Sequence, residues 1–285
     1  MSNDAPPAPL PGCSTCQGIL IEQAKLTQGN AEGAQPVQAT GQPRPSDLAA
    51  PVRTLWPNGQ VFKVWFLNGT DYQDHVALIK ATVPEWERYA NVSFTFPEQW
   101  DEESPPEVRI LFANDGYWSY LGLDVRTMGE RDTKPNPENP TMSLYPDNLS
   151  SEYRKVSYRG TVLHEFGHTL GFMHEHQRPD GGLKIPYDMS KIYDWYKENV
   201  DWDVQTVNQQ VLNFEAYRGQ QIAANAFDTK SIMMYSISSA ILLPGTPPIP
   251  RNNVLSDGDK EFVARLYPRD TDQRPAIQPG ELIRS

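Results

Sequence analysis

The chain has 285 residues and carries 36 acidic against 25 basic side chains, a formal net charge of −11. That length suits one large domain or two lobes around a cleft. The acidity argues against a nucleic-acid ligand, whose phosphates call for basic patches, and no apolar run approaches the roughly 18 residues of a membrane span.

The opening residues, Met1 to Pro7, are neither basic nor followed by an apolar core, so no secretory signal is expected there. Residues 1–50 are rich in Pro, Ala, Gly and Gln and read as a flexible segment, a candidate propeptide. They hold the only two cysteines, Cys13 and Cys16. The C-x-x-C spacing has several readings: a redox motif, here without a surrounding βαβ unit; half of a structural zinc site, here without its second pair; a thiolate that blocks the open position of a metal elsewhere; or a free or locally paired thiol.

From Leu55 the chain reads as globular. Residues Val61 to Leu67 are β-branched, aromatic and apolar, a buried strand. Thr70 is expected to cap a helix from Asp71 to Tyr89, with Val76, Ile79, Val83 and Trp86 at helical spacing and a kink at Pro84. Residues 92–96 and 108–112 read as two further strands, and the order strand, helix, strand, strand points to an α+β chain. Gly116 to Gly122 is an aromatic segment, residues 127–139 a polar exposed loop, and Thr141 to Tyr145 a last strand before a long helix over about Tyr153 to Leu170. Residues 181–230 read as helices and loops. Ala240 to Arg251 is apolar and proline-rich, with Arg251 its one charge, expected at an exposed loop tip. Ser256 is expected to cap a final helix through Leu266, and the charged tail beyond Pro268 is expected to fray.

The long helix carries the chemistry. His164, Glu165, His168, Gly171 and His174 form the pattern H-E-x-x-H-x-x-G-x-x-H. Residues four apart share a helix face, so His164 and His168 can bind one metal ion. His174 would lie about 9 Å further along the axis if the helix continued, so the chain must turn back, and Gly171 suits a left-handed helix end. Three imidazoles and one open position describe a catalytic zinc site, one ion per chain. Glu165, beside the first ligand, is placed to take a proton from the attacking water.

That motif, the run His174 to Asp180 and the segment Ser231-Ile-Met-Met-Tyr235 resemble the astacin family of metzincin zinc endopeptidases. The resemblance runs from about Leu55 to about Tyr267 and includes residues 56–59, 118–122 and 255–259. It implies a two-lobed catalytic domain over residues 51–270, followed by a tail over 271–285. The implied fold has a twisted mixed five-stranded sheet with helices above the cleft and a mostly irregular lower lobe ending in a helix. It implies hydrolysis of protein or peptide substrates by an extracellular enzyme, although a compartment inside the cell stays open; a monomer is expected. It makes Met233 the methionine of a turn beneath the zinc. It makes Tyr235 a group that ligates zinc at rest and then stabilises the oxyanion. Glu175 becomes a residue that pairs with the mature N-terminus or otherwise braces the site, and Gly116 to Gly122 an edge strand that pairs with substrate. Arg251 would border the pocket for the residue after the scissile bond. Met234 stands where the family has histidine, and the family's domain disulfides are absent. A blocking role for Cys13 and Cys16 would resemble the cysteine switch of matrix metalloproteinases. The alternatives are a zinc-containing binding protein without catalysis and a zinc hydrolase of non-peptide substrates.

Overall fold

The computed structural model describes residues 49–114, 116–125, 139–178, 185–212, 221–224, 226–269 and 282–284. Cys13, Cys16 and most of the 127–139 loop lie outside them. The strands are β1 (Ala49–Pro51), β2 (Val61–Phe66), β3 (Ser93–Thr95), β4 (Val108–Leu111), β5 (Trp118–Ser119), β6 (Met142–Ser143), β7 (Gln221–Ala224) and β8 (Leu282–Arg284). The α-helices are α1 (Gln73–Thr82), α2 (Pro84–Glu87), α3 (Glu152–Thr169), α4 (Ile192–Val200), α5 (Val204–Gln210) and α6 (Asp257–Leu266).

Five strands form one mixed sheet in the order β3-β2-β4-β6-β5. All neighbours are parallel except β5, which runs antiparallel to β6 with Trp118 opposite Ser143 and forms the sheet's edge. On β2, Phe62 and Val64 are buried while Val61 is exposed, the period-two signature of a strand packed on one face. Phe62 stacks on Phe94 at 5.0 Å, and Phe94 meets Phe166 of α3 edge-on at 5.4 Å. Trp86 of α2 lies 5.6 Å from Phe172, which lies 5.8 Å from Phe262 of α6. This aromatic chain ties sheet, α3 and α6 into one core. A second cluster gathers Ile192, Val207, Met234, Ile237 and Ile241. The fold is the expected α+β, two-lobed arrangement.

Three expectations are corrected. Thr70 caps nothing: Gly69–Asp71 forms a 3-10 turn, and α1 starts at Gln73 after Tyr72, with no side-chain cap. Tyr72, at φ −132° and ψ 46°, is outside the helical region and separates the turn from α1. Pro84 does interrupt the helix, and it opens α2 at a first-turn position where its missing N–H costs nothing. A second sheet, β1-β7-β8, all antiparallel, includes residues 221–224, where only helices and loops were expected over residues 181–230. Its strand β8 pairs Leu282–Arg284 with β7, where the tail was expected to fray. The boundary expected between residues 50 and 51 falls inside β1, where Ala50 is buried. No helix among the described residues is long and apolar enough to cross a membrane.

Candidate active site

Helix α3, which carries His164, Glu165 and His168, is fixed at both ends. Ser151 accepts the Arg154 N–H and caps its start. At its end Gly171 adopts φ +99°, which favours glycine. The Gly171 N–H then reaches the His168 carbonyl and the Phe172 N–H the Gly167 carbonyl, the paired bonds of a Schellman turn. The last carbonyls find donors from distant segments: Gly122 N–H to His168, the Trp56 indole to Thr169 at 2.7 Å, and the Tyr267 hydroxyl to Leu170 at 2.7 Å. The turn sends the chain back to bring His174 beside His168.

Each histidine is oriented by an oxygen that can only accept. His164 Nδ1 meets the Ile232 carbonyl at 2.7 Å, His168 Nδ1 the Phe172 carbonyl at 2.7 Å, and His174 Nδ1 the Gln177 Oε1 at 3.0 Å. Nδ1 therefore carries the proton in all three, and each Nε2 keeps a lone pair. One ligand nitrogen from each residue lies within 4.8 Å of the others, and His168 Nε2 is 3.0 Å from His174 Nε2. Two facing lone pairs repel unless a cation sits between them. Zinc–nitrogen bonds of roughly 2.0–2.1 Å in a tetrahedron separate nitrogens by about 3.3 Å, so this donor set fits zinc. Burial and the neighbouring His168, His164 and His176 hold His174 well below the usual imidazole range, in the neutral form that ligation requires.

Glu165 follows His164 on α3 and is 2 % exposed. Met233 is fully buried beneath the helix: a Cβ on Gly167 would lie 2.4 Å from the Met233 sulfur. The same turn delivers several contacts at once. Ile232 orients His164 through its carbonyl, the Met233 carbonyl accepts the Glu175 N–H at 3.0 Å, and the half-buried Tyr235 places its ring 4.4 Å from that of His174. Met234 packs into the lower cluster, where an apolar side chain suits the position better than an imidazole. Strand β5 flanks α3, with Ser119 Oγ 3.2 Å from Thr169 Oγ1.

Glu175 forms a fully buried ion pair with Arg178 at 3.0 Å and accepts the Asp228 N–H at 2.8 Å. Burial pushes its carboxyl well up, and the Arg178 guanidinium pulls against that shift. Arg251 corrects the expectation of an exposed loop tip. It is half-buried, and its guanidinium donates to the Ser157 carbonyl and Thr161 Oγ1, pinning its segment to α3.

Two residues escaped the sequence reading. Asp259 completes the capping box of α6 with Ser256, and its Oδ2 also accepts the Ile232 N–H at 2.8 Å. The local Ser-x-x-Asp spacing announces the cap, but nothing local announces the bond to the methionine turn. Burial raises the Asp259 carboxyl to about 7. Gln177, which orients His174, sits inside the recognised run yet carries no signal that separates it from an ordinary polar loop residue.

Comparison with known proteins agrees with this geometry. The family model described as Astacin, a peptidase family, matches residues 146–246, which span α3, the three histidines and the methionine turn. The solved structure of myroilysin is 34 % identical, covering 78 % of this chain and 99 % of that one, with a TM-score of 0.65. Human tolloid-like protein 1 is 31 % identical over 167 residues, 57 % of this chain and 14 % of that protein. Bone morphogenetic protein 1 of Xenopus laevis is 26 % identical over 219 residues, 75 % of this chain and 27 % of that protein. The chain thus spans a small part of the curated relatives it matches. Taken with the histidine geometry, these similarities show that the chain belongs to the astacin family of peptidases.

Proposed function

We propose that the chain is a zinc-dependent endopeptidase in which Glu165 is the general base and Tyr235 assists at the oxyanion. The observation that carries this reading is the convergence of three imidazole Nε2 lone pairs beside a buried glutamate. Zinc, when bound by His164, His168 and His174, supplies Lewis acidity at an open position. Glu165 takes the proton of the attacking water and passes it to the departing amine nitrogen. The Tyr235 phenol donates a hydrogen bond to the carbonyl oxygen as charge develops on it. Met233 keeps the floor beneath the imidazoles dry and apolar. The β5 strand at the sheet's edge is where an extended peptide would add as a further strand, which favours peptides over other hydrolysable substrates.

The test is cleavage of casein and of a defined peptide by the full chain, with product ends read by mass spectrometry. Internal cuts that stop on chelation and return with zinc are expected. Zinc binding without any cut would replace the enzyme reading with that of a binding protein.

A further inference from the structure

Helix α5 lies outside the motif, yet its last turn touches the site twice. The final carbonyls of any α-helix have no donor within it. In α5 those of Gln209 and Gln210 are taken up by the loop that carries the third ligand: Gln177 Nε2 donates to Gln209 at 2.9 Å and to Gln210 at 3.0 Å, and His176 Nε2 donates to Gln210 at 2.8 Å. Gln177 and His176 are both buried.

We propose that Gln177 and His176 are positioning residues, through which the C-terminal turn of α5 fixes the imidazole of His174 and the ring of Tyr235. An amide NH2 held between two carbonyls can only donate, so the other end of the Gln177 side chain is its oxygen, and that oxygen faces His174 Nδ1. The tautomer of the third ligand is therefore set by a helix more than thirty residues away. A carboxylate would face both carbonyls with like charge, and a methionine would strand the Gln209 carbonyl and the His174 imidazole N–H in the interior, because Gln210 keeps its bond from His176. The amide is the group that serves both sides. His176 acts on the neighbouring group. Its bond to Gln210 fixes its own ring, which lies 4.3 Å and 33° from that of Tyr235 and 5.3 Å from that of His174. Tyr235 thus rests against two imidazoles, one a ligand and the other held by α5.

This inference rests on reading His174 as a metal ligand, and the experiment separates the two. Zinc affinity is measured on the full-length chain by chelator competition, for the parent and for Gln177→Met. Histidine-ring 15N NMR of the metal-free parent reads the tautomers. The parent should show His174 protonated at Nδ1 and His176 at Nε2 before any metal is added. Gln177→Met should bind zinc roughly 10–100-fold more weakly while His176 keeps its tautomer. A parent that binds zinc beside a variant within twofold of it overturns the positioning role of Gln177. His176 protonated at Nδ1 in the parent overturns the bracket from α5. If Gln177→Met does not fold, the parent tautomers decide. A parent without zinc affinity overturns the metal site itself.

Discussion

The two halves of the site are built by different means. His164, Glu165 and His168 sit on one continuous helix, where periodicity alone sets their spacing and three separate segments hold the last turn. His174, Met233 and Tyr235 come from a return loop and a turn, and each depends on hydrogen bonds or ring contacts with residues distant in sequence. The contrast teaches that the helical half provides geometry in advance, whereas the looped half must be assembled by its surroundings. Damage to the first should remove chemistry, and damage to the second should loosen it.

The largest effect belongs to the helical half. Glu165→Gln keeps the shape of the side chain but not its basicity, so turnover of a peptide should fall roughly 10²–10⁴-fold with zinc content unchanged. Steady-state kinetics and metal analysis on the same preparation check this. In the looped half, Tyr235→Phe should lower kcat by roughly 10²–10³-fold with little change in KM. A purely structural tyrosine would instead leave kcat near the parent value.

Asp259 probes the support beneath the looped half, and the direction of its effect follows from linkage. Its carboxyl titrates at about 7 in the folded chain against an ordinary value of 3.8. Between those values the folded state holds more protons than the unfolded state, so the stability it contributes is complete at low pH and declines as pH rises through about 7. Asp259→Asn retains an oxygen for the Ile232 and Ser256 N–H groups and does not titrate. It should therefore gain on the parent by roughly 3 kcal/mol between pH 5 and pH 8. Urea unfolding of the metal-free proteins at those two pH values reads the difference, and a flat difference would show an ordinary carboxylate. The smallest effect is at the joint between the halves. Gly171→Ala must hold φ +99° and bring a Cβ within 3.2 Å of the Thr54 carbonyl, a cost of about 1–3 kcal/mol in the same unfolding assay.

What could be read from the sequence follows the same division. The strands β2, β3 and β4, the break at Pro84, the Ser256 cap and the helical ligands all depend on neighbours a few residues away, and they were legible. So was the turn at Gly171, because only a reversal could bring His174 to His168. Gln177, Arg251 and the second bond of Asp259 were not, because their partners lie 32, 90 and 27 residues distant. The sheet β1-β7-β8 was hidden for a related reason. β7 has four residues and β1 three, too few to show a period, and Ala49 finds its partner only at Ala224. Thr70 failed in the opposite sense: its local signal was favourable, but it lies in a 3-10 turn cut off from α1 by the non-helical backbone of Tyr72.

The most direct test of the site is a zinc titration of the chelator-stripped chain, with peptide hydrolysis followed at each step. Activity should rise linearly and stop at one zinc per chain, and Glu165→Gln should bind the same single ion with turnover lower by roughly 10²–10⁴-fold. Hydrolysis that persists in the stripped chain, or that is undiminished in Glu165→Gln, would contradict a reaction run by these three histidines and this glutamate.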